Sequence, residues 1–309
     1  MTLSEGASYT PGVSLLVAVL LGLVEGLTEF LPVSSTGHLI LVSQWLGSTD
    51  EGAKSFDIVI QLGAILAVVV HYRALFLNRL RGLLAREPES LRLFGALAVA
   101  FVPAALTGLV LGKTIKRLLF GPLPVAAALF VGGVVMIAVE RFRRARHVQG
   151  LSGTEHVTWK RALVIGVGQC FALWPGMSRS MSTIVAGQLA GLSTPTAAEF
   201  SFLLSVPTLG AATLYEVYKA RHDLAQGVGG AQLAIGLLVS FAVAWLVIAA
   251  FLRYLGKRGL EPFGYYRIAL AALVLAISLR RDGTSDDNCE MNCRSWPQLS
   301  EAAQSAGCS

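Results

Sequence analysis

Charge is what this 309-residue chain has least of: Asp, Glu, Lys and Arg make up 14% of it and 54% is hydrophobic, whereas a soluble domain carries roughly 25% charged residues. That balance excludes a single water-soluble core. Cysteine is sparse as well. Of four, Cys170 lies in an apolar block while Cys289, Cys293 and Cys308 lie in a polar tail, and no CxxC pair exists, which removes the zinc ribbons and fingers. A Walker loop, an HExxH helix and a Gly-rich dinucleotide loop are all missing, which argues against ATP-driven transport and zincin chemistry. The segment from Met1 to Pro11 lacks a basic n-region, and the apolar run behind it carries Glu25 and Glu29, so it does not read as a cleaved signal peptide. A net charge of +6 could suggest nucleic acid. Its Lys and Arg sit in the breaks between apolar blocks with no aromatic-basic surface beside them, so no nucleic-acid partner is expected.

What is present is a series of apolar blocks: 13–31, 37–47, 57–72, 91–112, 123–140, 161–174, 182–192, 197–218, 231–252 and 264–279. Several reach the ~20 residues that cross ~30 Å of hydrocarbon. Two, 37–47 and 182–192, are too short. Each follows a Pro/Gly/Ser break, at 32–37 and at 175–182, so each reads as half of a re-entrant helical hairpin whose broken backbone must face protein or a watery cavity. The two halves also resemble each other at an offset of 144 residues: GLVEGLTEFLPVSS from Gly22 lies over GVGQCFALWPGMSR from Gly166, and Phe56 lies over Phe200, each with an acidic neighbour, Asp57 and Glu199. A unit of one hairpin and three spans crosses an odd number of times, so its copy must be inverted.

The expected architecture is an all-α integral membrane protein with about six transmembrane helices and two re-entrant hairpins. Its parts are an N-terminal segment (1–12), a first repeat (13–141), a cytoplasmic linker (142–160), an inverted second repeat (161–280) and a polar, disordered tail (281–309). Basic clusters at Arg73, Arg79, Arg81, Arg86 and Arg92, at Arg141 to Arg161, and at Arg253, Lys257 and Arg258 are assigned to the cytoplasm, with both termini outside. Lys113, Lys116, Arg117, Arg280 and Arg281 fall on the other side of that scheme.

The first break carries Glu25-Gly-Leu-Thr-Glu29-Phe-Leu-Pro-Val-Ser34-Ser35-Thr36-Gly-His38. Glu25 and Glu29, at i and i+4, share a helix face, where two carboxylates can hold a hard divalent cation or exchange a proton. Carboxylates at membrane depth cost about 2.5–3.5 kcal/mol each on insertion scales, so an idle pair is not expected. Pro32 ends that helix, Ser34, Ser35 and Thr36 can cap the next, and His38 lies in its first turn. The second break carries Pro175-Gly-Met-Ser178-Arg179-Ser180-Met-Ser182-Thr183. An arginine among hydroxyls at a helix N-terminus suits a phosphate. The bland readings are helix capping for the hydroxyls, a backbone-bonded interfacial His38 and a snorkelling Arg179. Their joint occurrence favours one site for a phosphorylated anion.

The strings EGLTEFLPVSSTGH (25–38) and PGMSRSMST (175–183), with FDIVIQLGAILAVVV (56–70), QCFALWPG (169–176) and AAEFSFLLSVP (197–207), resemble the undecaprenyl-diphosphatase, or bacitracin-resistance, family over about residues 13–279. The resemblance implies hydrolysis of undecaprenyl diphosphate, a membrane lipid, assisted by Mg²⁺ or Ca²⁺, in the bacterial cytoplasmic membrane with the active site open to its outer, periplasmic face. It implies recycling of the carrier for peptidoglycan synthesis and resistance to bacitracin. By position it makes Glu25, Glu29, Ser35, His38 and Arg179 catalytic, Glu25 and Glu29 metal-binding, and Ser34, Thr36, Ser178, Arg179, Ser180 and Thr183 phosphate-binding. Met181-Ser182 stands where the family often has small residues. Whether Ser35, His38 or water attacks is left open, a homodimer is compatible with the chain, and the rivals are a lipid-carrier flippase and, more weakly, an ion channel.

Overall fold

The computed structural model describes residues 13–48, 51–119, 121–219, 221 and 229–295, with the side chains from 280 onward outside the description. Among the described residues there is no strand, only one isolated bridge between Leu151 and Leu192. The helices are α1 (Leu15–Thr28), α2 (Ser35–Trp45), α3 (Glu51–His71), α4 (Arg73–Leu84), α5 (Pro88–Leu119), α6 (Pro122–Ala145), α7 (Trp159–Cys170), α8 (Arg179–Leu189), α9 (Thr194–Lys219), α10 (Gly230–Leu255) and α11 (Glu261–Ser295).

Five described helices, α5, α6, α9, α10 and the Glu261–Leu279 part of α11, are long and apolar enough to cross a membrane. A sixth crossing is available where α3 meets α4, the two being bent by 71° at Tyr72. The expectation of an all-α multi-pass membrane protein holds. The residues around Arg73 to Leu84, read as a plain basic break, instead form α4, whose Leu77, Leu80 and Leu84 are exposed. Both hairpins are built from short helices: α1 has 14 residues, α2 and α8 have 11 each and α7 has 12, so the arms are about 16–21 Å long at 1.5 Å per residue, short of the ~30 Å hydrocarbon core.

The halves are interlocked. Helix α1 packs along α10, and correspondingly α7 packs along α5; α6 pairs with α11 and α3 with α9 across the middle. Small residues make the crossings close. A Cβ at Gly22 would stand 2.7 Å from the Gly236 carbonyl, and one at Gly166, the residue 144 positions on, would stand 2.6 Å from the Ala100 carbonyl. Each hairpin therefore leans on a helix of the opposite half, which is the exchange a two-fold related pair requires.

The three basic clusters converge at one end. Arg92 donates to the Glu155 carbonyl at 3.5 Å, and Arg141 and Arg144 both pair with Glu261, at 2.9 and 3.1 Å. The linker is tied down there as well: Arg143 donates to the Gln188 and Leu192 carbonyls at 2.5 and 2.9 Å, fixing the far end of α8. The expected disordered tail differs from what is found, since α11 continues to Ser295. No proline interrupts 281–295, so nothing stops the helix of the last span from extending into polar sequence. Residues 1–12 and 296–309, with Cys308, lie outside the described residues; Cys170 is a free thiol.

Candidate active site

The two hairpins break in the same way. Helix α1 stops at Glu29 because Pro32 follows, and the chain re-enters α2 through Ser34 at φ 74°, whose hydroxyl accepts from the Gly37 amide at 3.3 Å. In the second hairpin Ser178 sits at φ 71° and its hydroxyl accepts from the Met181 amide at 3.3 Å. Positive φ is uncommon for a residue with a Cβ. Its recurrence at matched positions, with the same N-cap bond, shows one turn used twice.

The turns meet. Ser180 Oγ donates to the Leu31 carbonyl at 2.9 Å, and Arg179 Nη2 donates to Glu29 Oε1 at 3.1 Å, with both side chains less than a tenth exposed. Glu29 Oε2 accepts from Ser35 Oγ at 2.7 Å. Arg179 is held on its other edge, where Nη1 donates to the Ser201 carbonyl and hydroxyl at 3.0 and 3.1 Å, and Thr183 Oγ1 lies 2.6 Å from that hydroxyl. The guanidinium stands 5.6 Å over the Phe30 ring, which itself packs edge-on against Phe202. A planar fork pinned this way has its orientation set before any anion arrives.

Glu25 is buried, beside Glu29 and within electrostatic reach of Asp57. Its Oε1 and the Oδ1 of Asp57 have no hydrogen-bond partner. Buried carboxylates that feel one another's charge call for a cation or a proton among them. Among the described residues no group of three or more His, Cys, Asp or Glu is placed to hold a metal by itself. The donor set does fit Mg²⁺ as proteins commonly bind it, through one or two carboxylates with the rest supplied by substrate phosphates and water.

His38 belongs to a separate branch of the network. Its Nδ1 lies 2.8 Å from the Ser34 carbonyl and so carries the proton, and its Nε2 lies 2.6 Å from the Tyr266 hydroxyl, with the two rings stacked at 5.7 Å. The hydroxyl of Ser35 thus points to Glu29, while His38 is engaged by Ser34 and Tyr266. Of the remaining expected residues, Ser34, Ser180 and Thr183 are buried at the junction, Ser178 is half-buried with its hydroxyl 3.0 Å from that of Ser180, and Thr36 is exposed on the first turn of α2. Ser182 turns back to the Ser178 carbonyl at 2.9 Å.

Sequence reasoning missed Ser201, Tyr266 and Arg267. Ser201 carried a signal, since it stands 144 residues after Asp57. Arg267 carried a stronger one: an arginine inside the block 264–279, where a charge within a span marks a buried partner. A cavity of about 700 Å³ lies elsewhere, at the basic end, lined by Arg144, Thr194, Lys257, Arg258 and Glu261. None of the tip residues lines it.

Residues 18–273 match the family described as bacitracin resistance protein BacA. The chain is 64% identical over 259 residues to the undecaprenyl-diphosphatase of Sorangium cellulosum, covering 84% of each chain. It is 47% identical over 265 residues to undecaprenyl-diphosphatase 2 of Rhodospirillum rubrum, covering 85% of this chain and 95% of the relative. The match spans both hairpins, every residue of the junction and the interlocked helices around it, and on that extent the chain belongs to the bacitracin resistance protein BacA family.

Proposed function

We propose that the chain is a membrane phosphatase that hydrolyses undecaprenyl diphosphate to undecaprenyl phosphate and inorganic phosphate, the activity for which its relatives are named. The observation that carries this reading is the single unit formed by Ser35, Glu29 and Arg179: a hydroxyl, its proton acceptor and a guanidinium joined by bonds of 2.7 and 3.1 Å across the two tips.

Arg179, with the amides opening α2 and α8, receives the diphosphate and holds the terminal phosphoryl group. Ser35 Oγ attacks the terminal phosphorus and gives its proton to Glu29. The anhydride P–O bond breaks, and the bridging oxygen departs with undecaprenyl phosphate. Glu29 passes the serine proton to the departing phosphate; water then attacks the phosphoserine, Glu29 takes a proton from it and returns that proton to Ser35 Oγ as the Ser–O–P bond breaks and inorganic phosphate leaves. His38, with Nδ1 on the Ser34 carbonyl and Nε2 on the Tyr266 hydroxyl, holds the opening turn of α2 in place beside Ser35. A divalent cation, Mg²⁺ or Ca²⁺, held by Glu25 and Glu29 would neutralise diphosphate charge. The product is the lipid carrier used again in peptidoglycan synthesis, and its recycling is the basis on which the chain would confer resistance to bacitracin.

We also assign the site to the outer face of the cytoplasmic membrane. On α6 the second tip bonds the Pro124 carbonyl through the Trp174 indole N–H, and Arg267, which bonds the Pro32 and Gly176 carbonyls of the two tips, also bonds Ala128 and Leu129. These lie within about 10 Å of the Pro122 end and about 18 Å or more from Arg141 in the basic cluster, at 1.5 Å per residue; basic clusters favour the cytoplasm.

The test is phosphate release from undecaprenyl diphosphate by purified protein in detergent, where no sealed compartment exists. Release supports the phosphatase; none, with lipid moved across sealed vesicles, supports a flippase. Rapid quenching should trap phosphate on Ser35 and none in Ser35→Ala. Steady turnover without any phosphoenzyme would assign the attack to water.

A further inference from the structure

Arg267 is fully buried in α11, and its described hydrogen bonds go to neither Glu29 nor Ser35. Its guanidinium donates to four backbone carbonyls from three places in the chain. Nη1 reaches Pro32 at 3.3 Å in the first break, Nη2 reaches Gly176 at 3.0 Å in the second, and Nη2 and Nε reach Ala128 and Leu129 on α6 at 3.1 and 3.3 Å. Among the described residues no carboxylate pairs with it. A buried arginine without a counter-ion is costly unless its donors are filled, and here the filling groups are one carbonyl from each helix break, Pro32 and Gly176, and two from α6, Ala128 and Leu129.

We propose that Arg267 is a positioning residue for the phosphatase site: it fixes the distance and angle between the two tips, and thereby places Arg179 against Ser35. The proposal deepens the phosphatase reading and rests on it. Three features converge. Pro32 and Gly176 are matched positions, 144 residues apart, so one guanidinium joins the same point of both turns. Gly132 leaves the space the guanidinium needs, since a Cβ there would overlap Nη2. Tyr266, the preceding residue, holds His38 at 2.6 Å, so one turn of α11 sets both the tips and the imidazole. Lysine cannot replace this device, because a single ammonium has three donors at one point and no planar fork to span carbonyls on both sides.

The experiment uses full-length protein purified in detergent, with phosphate release from undecaprenyl diphosphate in the presence of Mg²⁺, thermal unfolding as the fold control, and the variants Arg267→Met, Arg267→Lys and Gly132→Ala. The expected result is a fall in kcat of about 100-fold for Arg267→Met, with KM changed less than about threefold, because misplaced tips cost orientation more than ground-state binding. Arg267→Lys should recover little of that loss, and Gly132→Ala, which keeps the charge but displaces the guanidinium, should lower kcat about tenfold. Folded Arg267→Met or Gly132→Ala with wild-type kcat overturns the proposal, as does full rescue by Arg267→Lys or a loss seen in KM alone. If neither Arg267→Met nor Gly132→Ala folds, Arg267 serves folding and the proposal also fails. Wild-type protein that releases no phosphate would instead sink the phosphatase reading itself.

Discussion

The two hairpins share a backbone and differ in chemistry. Ser34 and Ser178 open their short helices with the same positive φ and the same cap, yet the side chains hung on that turn have diverged position by position. Glu25 is answered by Gln169, Glu29 by Leu173, Ser35 by Arg179 and Asp57 by Ser201. Gln169 is spent on structure, its amide reaching the Ala100 carbonyl at 3.4 Å and its oxygen accepting from Thr208. In the proposed mechanism the first tip therefore supplies carboxylates and the nucleophile, and the second supplies the guanidinium and its supports. A symmetric pair of acidic tips would repel a diphosphate, and a pair of cationic tips would bind it with nothing to take a proton. Divergence at fixed geometry places both functions within one hydrogen-bonded unit.

The difference can be broken most severely at the cation. Arg179→Ala should lower turnover by about 10³-fold, the scale of losing an electrostatic anchor in a dry site. Arg179→Lys should restore less than about a tenth of it, because the fork to Glu29 and Ser201 is lost. Steady-state phosphate release with each folded variant is the check. Next comes the acceptor: Glu29→Gln should cost about 10²–10³-fold and abolish phosphorylation of Ser35 in quench experiments.

Making the first tip more like the second sharpens the comparison. Glu25→Gln copies Gln169 into the first half and should reduce turnover about 10–100-fold while raising the Mg²⁺ or Ca²⁺ needed for half-maximal rate. Chelation and add-back on wild type give the reference curve, and an unchanged metal requirement would remove Glu25 from cation binding. Tyr266→Phe deletes one hydrogen bond to His38, worth about 0.5–1.5 kcal/mol, so turnover should fall no more than about tenfold. The smallest effect on activity belongs to the shared scaffold. Gly22→Ala and Gly166→Ala each press a methyl group on a carbonyl of the opposite half and should destabilise by about 1–3 kcal/mol, with similar falls in melting temperature and little change in turnover per folded molecule.

How much of this was legible follows from what each residue has to do locally. Pro32 and the serines announce the breaks, because proline and N-caps act within a few residues of themselves. The span count, the matched halves and the meeting of Glu29 with Arg179 follow from hydropathy and repeat order. Less was visible where the determinant is tertiary. Nothing near His38 indicates that its Nε2 is taken by Tyr266, 228 residues away, and Arg267 was absorbed into an apolar block although its four acceptors come from other segments. Helix α4 escaped because five arginines in a short stretch read as a break, while its leucines keep helical spacing. The helical course of 281–295 escaped because polar composition says little about a helix already nucleated upstream.

The most direct test of two tips acting as one centre is a cryo-EM map of the wild-type protein with a methylene-bridged polyprenyl diphosphonate, which cannot be hydrolysed. The account expects the terminal phosphonate between the tips, with an oxygen in hydrogen-bond contact with Arg179 and the phosphorus in reach of Ser35 Oγ. A diphosphonate seated instead at the basic end beside Lys257 and Arg258, with the tips empty, would contradict it.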